Sequence, residues 1–528
     1  MSEITITVNG QEVKAQPGQR VIEAIKTLED VPHYCYHPGL SVAASCRLCA
    51  VELGQKDPET GEEKMIPKMM MSCEAVVRDG LVVKTQTQKV LSHREEIMAY
   101  LLSNHPLDCP VCDQAGECHL QDYSYGHGQS QSEFFELKNK ESKKEVGDDV
   151  LLYGDRCIQC TRCVRFTREV SGGAELFVND RGVHSEIDCF PGLGVNDNLA
   201  GNVVDLCPVG ALLSKDFLFK QRVWELKTAH SICPGCSKGC NIEIHHNKGV
   251  IYRLKPANNP EVNDWWICDE GRSGFKFVHA DQRLKSCQGR DGDAIYDITA
   301  SAAVEKTNEL LAPYFSGDGK KVAVVISPQA SLEEQYLLAK WARDNNNDVA
   351  LVSGAVFTDG EDYSFTGGFT VKAEKSPNAQ GMTTVLNHFG GEQLKLIDLP
   401  DGVASGRFEA VVVAGGYQWQ NWCPEEMVSK LRKAKVLIVN DILDSELSHR
   451  ADVVLAGATW AEKAGAFMND QEMVQSFEQA LLPVENASED AALLWQLANR
   501  PEAYKLLDLR KEMGDLMNTK QTSQTVGA

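Results

Sequence analysis

The sequence predicts an α+β front half followed by an α/β back half. Three observations carry this. Sixteen of the 18 cysteines lie before residue 270, in groups set in loop-like sequence. Residues 3–14 (EITITVNGQEVK) alternate in character about an Asn9-Gly10 pair, the pattern of a β-hairpin. Beyond residue 320, short apolar runs alternate with helical patterns, the rhythm of an open α/β sheet.

Composition bounds the function. A chain of 528 residues implies two to four domains, and 43% apolar content is ordinary for a globular protein. A net charge of -22 and a pI of about 5.1 argue against a nucleic-acid partner, whose phosphates require a basic surface. No run of eighteen apolar residues occurs, so no membrane span is expected. The N-terminal MSEITITVNGQEV lacks a charged stretch followed by an apolar one, and reads as unprocessed and cytoplasmic. A chain this long does not need disulfide staples, so its cysteines point to metal.

The elements follow in order. After the hairpin, Arg20–Leu28 reads as a short helix, and together they suggest a β-grasp start. Leu91, Ile97, Met98, Leu101 and Leu102 stand at helical spacing and give one amphipathic helix ending near Asn104. Residues 128–149 are polar and read as a surface loop, and 281–297 as a linker or crossing segment. The runs Lys321–Ser327, Asp348–Gly354, Phe408–Gly415 and Lys435–Asn440 read as strands, with helices over Leu332–Arg343 and Glu425–Lys433. The polar end after 511 reads as a frayed tail.

Four cysteine groups carry the chemistry. The first is Cys35-x10-Cys46-x2-Cys49-x23-Cys73. Three thiolates on a long loop plus one distant ligand suit a [2Fe-2S] cluster, although the plant-type spacing, C-x4-C-x2-C, has a shorter first gap. The second is His105-x3-Cys109-x2-Cys112-x5-Cys118. Alone it would suit zinc, but beside other cluster groups it favours a [4Fe-4S] cluster with one imidazole ligand. Spacing does not separate His105 from His119 as that ligand. The third, Cys157-x2-Cys160-x2-Cys163 with a remote Cys207-Pro208, is a strong [4Fe-4S] signature. Cys189 lies between and could substitute for Cys207; it reads as a spare buried thiol. The fourth is Cys233-x2-Cys236-x3-Cys240-x27-Cys268, which suits zinc or [4Fe-4S], the cluster being preferred. Cys287 and Cys423 read as inert. Arg156, Arg162, Arg165 and Arg168 around the third group could offset cluster charge, but read first as surface or interface residues. Trp265-Trp266 reads as packing.

No G-x-G-x-x-G follows a strand, and no P-loop signature appears, so no NADH or flavin site is read here. No nucleophile–base constellation stands out, so no catalytic residue is assigned.

The order of the groups, with HPLDCPVCDQAGEC at 105–118 and GDRCIQCTRCVRF at 154–166, closely resembles the large iron–sulfur (G-type) subunit family of bacterial NADH–quinone oxidoreductases, or complex I. The resemblance is dense over 1–280 and weaker from 281 to about 480. It implies that Cys35, Cys46, Cys49 and Cys73 hold a [2Fe-2S] cluster fed by a flavin-bearing NADH-binding subunit. Cys157, Cys160, Cys163 and Cys207 would hold the next [4Fe-4S] cluster. His105, Cys109, Cys112 and Cys118 would hold the exit cluster, which serves a two-cluster ferredoxin-like subunit. Cys233, Cys236, Cys240 and Cys268 match an extra [4Fe-4S] cluster, off the main route, that only some members carry. One [2Fe-2S] and two to three [4Fe-4S] clusters are thus expected, in a peripheral subunit on the cytoplasmic side of the inner membrane.

The implied domains are a β-grasp [2Fe-2S] ferredoxin domain (1–85), a [4Fe-4S] ferredoxin-like domain (86–225), and a [4Fe-4S] domain of molybdopterin-oxidoreductase type (226–285). A truncated molybdopterin-oxidoreductase-like α/β domain (286–510) and a polar tail (511–528) follow. Glu462-Lys-Ala-Gly465-Ala-Phe467-Met-Asn469 resembles the E-x-x-G-T-F-x-N motif of those enzymes, but Gln471-Glu472-Met473-Val474-Gln475 departs from their E-G-R-x-Q. No molybdopterin is therefore expected. A formate dehydrogenase large subunit is the main alternative; it would need a metal ligand well after Cys268. An iron-only hydrogenase would need more late cysteines, and a structural zinc protein would hold no sulfide.

Overall fold

The computed structural model describes residues 3–57, 59–140, 143–317, 319–390 and 393–517. Two compact units emerge: Met1–Leu226 with Phe365–Phe369, and Lys227–Ser364 with Thr370–Ala528.

The first unit opens with the expected hairpin. Ile4–Val8 pairs antiparallel with Gln11–Ala15, Val8 opposite Gln11. Asn9 and Gly10 take φ of 48° and 87°, the two positive values that a two-residue hairpin turn of the right twist demands. The sheet runs in the order Gln11–Ala15, Ile4–Val8, Leu81–Lys84, Ala50–Lys56, Glu63–Met65, with Met70–Met71 also paired to Ala50–Lys56. The helix expected over Arg20–Leu28 is regular only over Val21–Ala24. It lays Val21, Ile22 and Ala24 on the core shared with Ile6, Val8, Val51 and Val83.

The amphipathic helix spans Gln88–Asn104, capped by the Thr87 side chain, which accepts from the Val90 N–H. It stops where expected because Pro106 biases His105 away from helical geometry; His105 is extended (φ -61°, ψ 130°). The stretch 128–149 is not all loop. Lys143–Glu145 pairs with Val150–Tyr153, which pairs in turn with Leu212–Ser214. The charged sequence hid an edge strand whose partner supplies the apolar residues.

The second unit begins with a three-stranded antiparallel sheet, Lys227–Ile232, Asn241–Asn247 and Val250–Pro256. An eight-stranded sheet follows, in the order Ala294–Ile298, Cys287–Asp291, Val453–Ala456, Val436–Asp441, Ala410–Ala414, Val322–Ile326, Ala350–Ser353, Gln393–Lys395. Its last six strands are parallel. All five residues of Val322–Ile326 are buried, as a strand covered on both faces requires.

Two expectations fail here. Residues 281–297 are not a linker: Cys287–Asp291 and Ala294–Ile298 form an antiparallel edge of the large sheet. Their mixed composition follows from edge position, the outer strand being mostly exposed. The tail is not frayed from 511. Leu506–Met513 is helical, a turn follows over Gly514–Met517, and Met513 and Leu516 are buried on the main core. Residues 518–528 lie outside the described residues. Among the described residues, no helix is long and apolar enough to cross a membrane.

Candidate cluster-binding sites

In the first unit the structure gathers the first cysteine group within a buried pocket of loop. Cys35, Cys49 and Cys73 are buried, and Cys46 is half-buried. Cys35 interacts electrostatically with Cys46 and Cys73, and Cys49 with Cys73. Ala44 and Arg47 adopt left-handed φ of 51° and 57°, which curls the loop about Cys46. Ser72 locks the two cysteine segments together, its N–H and Oγ donating to the Cys49 carbonyl at 3.0 and 2.9 Å. The Cys46 and Cys73 thiols donate to Cys35, which pulls Cys35 well below the usual thiol range and pushes the two donors up. The hydrogen bond with Cys73 lowers Cys49 to about 7. A site so disposed already favours thiolate at Cys35.

The second group surrounds a small cavity. His105, Cys109, Cys112 and Cys118 line it, with Asp108, Gln121, Arg156 and Gly210. Burial lowers the His105 imidazole to about 4, so it is neutral at physiological pH, the form that binds metal. Its Nδ1 is buried without a hydrogen-bond partner. His119, the competitor, also has an unpartnered Nδ1, but its ring packs 5.9 Å from that of Tyr123 and it does not line this cavity. Gly210 lets the chain close in: a Cβ there would stand 2.2 Å from Cys112 Sγ. Arg222 donates to the Cys112 carbonyl at 2.8 Å.

The third group lines a second cavity: Cys157, Cys160, Cys163 and Cys207, with Leu152, Ile187 and Val209 among its apolar walls. Thr161, at a left-handed φ of 59°, turns the chain between Cys160 and the helix Arg162–Phe166 that carries Cys163. The helix Asn202–Leu206 delivers Cys207. Cys189 is not brought in. It pairs with Leu176 in a two-stranded sheet and is half-buried rather than buried.

The surrounding arginines depart from the surface reading. Arg156, Arg162 and Arg165 are buried, at 2%, 5% and 9% exposure, and only Arg168 is exposed. Short cysteine-rich segments form little apolar core, so these long side chains fill the space between loops.

In the second unit the fourth group occupies the hairpin between Lys227–Ile232 and Asn241–Asn247, with Cys268 arriving as the N-cap of Asp269–Ser273. All four cysteines are buried. The Cys233 N–H donates to the Cys240 carbonyl at 2.8 Å, and the Gly271 N–H to Cys268 Sγ at 3.3 Å. A Cβ at Gly271 would lie 2.9 Å from Cys233 Sγ and 3.4 Å from Cys268 Sγ, so only glycine fits that wall. Trp266 is buried beside them, as packing requires.

Burial pushes the Cys118 and Cys160 thiols up to about 11 and Cys268 to about 12. Without metal they are protonated at neutral pH, and any metal bound there must displace those protons. Among the described residues, no three His, Cys, Asp or Glu side chains meet the arrangement for a single metal ion. What the structure does provide is four sets of converging donors, wrapped by loops and in two cases walled by glycine, which fit multi-iron clusters.

The back sheet has its own crevice. Chain order reverses between Val322–Ile326 and Ala410–Ala414, and a cavity opens at the C-terminal ends of these strands, the usual ligand position in such sheets. Here it is filled from within. Lys463 Nζ lies 2.8 Å from Glu334 and 2.9 Å from Asp490, all three buried. Trp422 and the Gly416 and Ile442 N–H groups donate to Asp441, whose burial raises it to about 6. About 40 Å³ remains, room for a few waters, so the residues present do not fit a molybdopterin. Cys287, whose Sγ accepts from the Ala456 N–H, and Cys423 are buried in the sheet's core, away from a ligand role.

Five family models match, in chain order: a 2Fe-2S iron-sulfur cluster binding domain (1–88), the NADH-ubiquinone oxidoreductase-G iron-sulfur binding region (94–133), and the NADH-quinone oxidoreductase subunit 3 ferredoxin-like domain (147–213). The molybdopterin oxidoreductase Fe4S4 domain (226–280) and molybdopterin oxidoreductase (349–500) follow. The G-type NADH-quinone oxidoreductase subunit of Rickettsia bellii is 35% identical over 339 residues, 63% of this chain and 47% of that protein. Its counterpart in Streptomyces coelicolor is 35% identical over 64% of this chain and 39% of its own. The mitochondrial NADH-ubiquinone oxidoreductase 78 kDa subunit of Neurospora crassa is 40% identical over 56% and 39%. The chain thus spans less than half the length of these relatives. A chain of an NAD+-reducing [NiFe]-hydrogenase is 28% identical, covers 42% of this chain and 91% of its own, and superposes with a TM-score of 0.36. The family likeness read from the cysteine order is borne out, as are domains of 2Fe-2S and 4Fe-4S binding type.

Proposed function

We propose that this chain is the electron-relay subunit of an NADH–quinone oxidoreductase, taking electrons from the flavin-bearing NADH-binding subunit and delivering them toward quinone. The observation that carries the proposal is the gathering of three separate cysteine-rich donor sets within one unit, each with its converging ligands. The [2Fe-2S] and [4Fe-4S] clusters they bind supply one-electron acceptance and release.

The ligands we assign are Cys35, Cys46, Cys49 and Cys73 for the [2Fe-2S] cluster. Cys157, Cys160, Cys163 and Cys207 hold the next, and His105, Cys109, Cys112 and Cys118 the exit cluster. Cys233, Cys236, Cys240 and Cys268 hold the cluster off the main route. The chain's own part is to exclude water, fix the donors and place positive charge beside the anionic sites. The domains change near residues 85, 225 and 285, and the back domain serves as a scaffold whose crevice its own ions fill. The chain then belongs to the peripheral arm on the cytoplasmic side, between the NADH-binding subunit and a two-cluster ferredoxin-like subunit.

The Cys160→Ser variant, assembled in the complex, tests this. One [4Fe-4S] EPR signal and electron flow from NADH to quinone should vanish. NADH oxidation by an artificial acceptor at the flavin subunit should survive. Unimpaired quinone reduction would remove this group from the main route.

A further inference from the structure

The helix Arg162–Phe166, which carries Cys163 of the third group, sends two guanidinium groups toward the first group. Arg165 Nη2 donates both to the carbonyl of Cys35 and, at 3.3 Å, to that of Cys160, while its Nη1 donates to the Ser41 carbonyl. Arg162 donates to the carbonyl of Tyr36, next to Cys35, and at 3.4 Å to that of Leu206, next to Cys207. Each side chain therefore straddles the two ligand sets.

Their environment lacks the anion such burial requires. Neither arginine forms an ion pair with a carboxylate among the described residues, and the Nε of each is buried without a partner. Arg156, just ahead of Cys157, contrasts with them: Asp108 neutralises it at 2.8 Å. Carbonyl dipoles satisfy hydrogen bonds but do not cancel a buried charge, and an uncompensated buried ion is strongly destabilising. The neighbouring anions are the cysteine thiolates, which carry net negative charge with their iron, more of it after reduction.

We propose that Arg162 and Arg165 are a shared counter-ion of the first and third groups, so that one pair of charges sets the reduction potentials of both clusters together. The inference rests on the ligand assignment above. Positive charge stabilises the reduced, more anionic state, so removing it lowers both potentials.

The test is EPR-monitored redox titration of the full chain as wild type, Arg165→Gln, Arg165→Lys and, as an exposed control, Arg168→Gln. Arg165→Gln should shift the [2Fe-2S] signal and the Cys160-group signal together to lower potential, by about tenfold in each reduction equilibrium, or about 59 mV for one electron. Arg165→Lys should keep both near wild type, and Arg168→Gln should move neither. A shift confined to one signal, an equal shift in Arg168→Gln, or no shift in filled Arg165→Gln would overturn the proposal. If Arg165→Gln fails to hold iron, Arg165→Lys decides. Both signals at wild-type potential would support a charge role. Their loss in Lys as well would assign Arg165 to loop hydrogen bonding and overturn it. A wild-type chain with no cluster signal would overturn the ligand reading, and this inference with it.

Discussion

Arg283 and Glu462, 179 positions apart, form a buried two-point ion pair, with Nη2 2.8 Å from Oε2 and Nη1 3.2 Å from Oε1. Arg283 also donates to the carbonyls of Val278 and Ile442, and Glu462 accepts from the N–H and hydroxyl of Thr459. This pair fastens the segment read from sequence as a linker to the motif at 462–469. Side-chain exposure of 2% and 3% leaves no solvent to take over if one partner is lost. Arg283→Met should destabilise the second unit by about 3–5 kcal/mol, the cost of an uncompensated buried carboxylate. Denaturant unfolding of the full chain checks it, and wild-type stability in the variant would contradict it.

The choice between two imidazoles is testable by substitution. His105 shares its cavity with Cys109, Cys112 and Cys118, whereas His119 packs by Tyr123. His105→Ala should abolish one [4Fe-4S] signal, and His119→Ala should leave all of them. His105→Cys should retain the cluster and lower its midpoint, since a thiolate adds negative charge that disfavours reduction. Low-temperature EPR titration reads all three. Loss in His119→Ala with retention in His105→Ala would reverse the assignment.

Glu489 gives a pH signature. Burial, aided by the nearby Glu334, raises its carboxyl from 4.5 to about 7. The fold therefore favours the neutral form. Below pH 4.5 the group is neutral in both folded and unfolded chains and costs nothing. Between 4.5 and about 7 the unfolded chain ionises first, so stability falls as pH rises through this window. Glu489→Gln mimics the neutral acid. It should raise the melting temperature of the second unit at about pH 8 and leave it unchanged near pH 4.5. An equal gain at both values would show that packing, not ionisation, is responsible.

Much of this was legible in the sequence because cluster ligands obey tight local spacing. Cys109-x2-Cys112-x5-Cys118 and Cys157-x2-Cys160-x2-Cys163 announce themselves within a short span, and Val322–Ile326 announces a buried strand by composition alone. What escaped was decided at long range. Lys143–Glu145 is a strand only because Val150–Tyr153 pairs with it, and Cys287–Asp291 joins the large sheet only because Val453–Ala456 does the same. The short strand Val453–Ala456 carries no alternation to mark it. Arginines at 162 and 165 look like surface charge until the first group's loop is folded onto them. Spacing admits Cys189 beside Cys207 and His119 beside His105, whereas the structure sets Cys207 and His105 at the cavities lined by the other cysteines of their groups.

Iron, sulfide and zinc counts on the isolated full chain, purified without oxygen and joined to low-temperature EPR, test the central claim most directly. The expected result is a coloured protein with about 14 irons when all four groups fill, matching inorganic sulfide, and both [2Fe-2S] and [4Fe-4S] signals. A colourless chain holding zinc and no sulfide would contradict it.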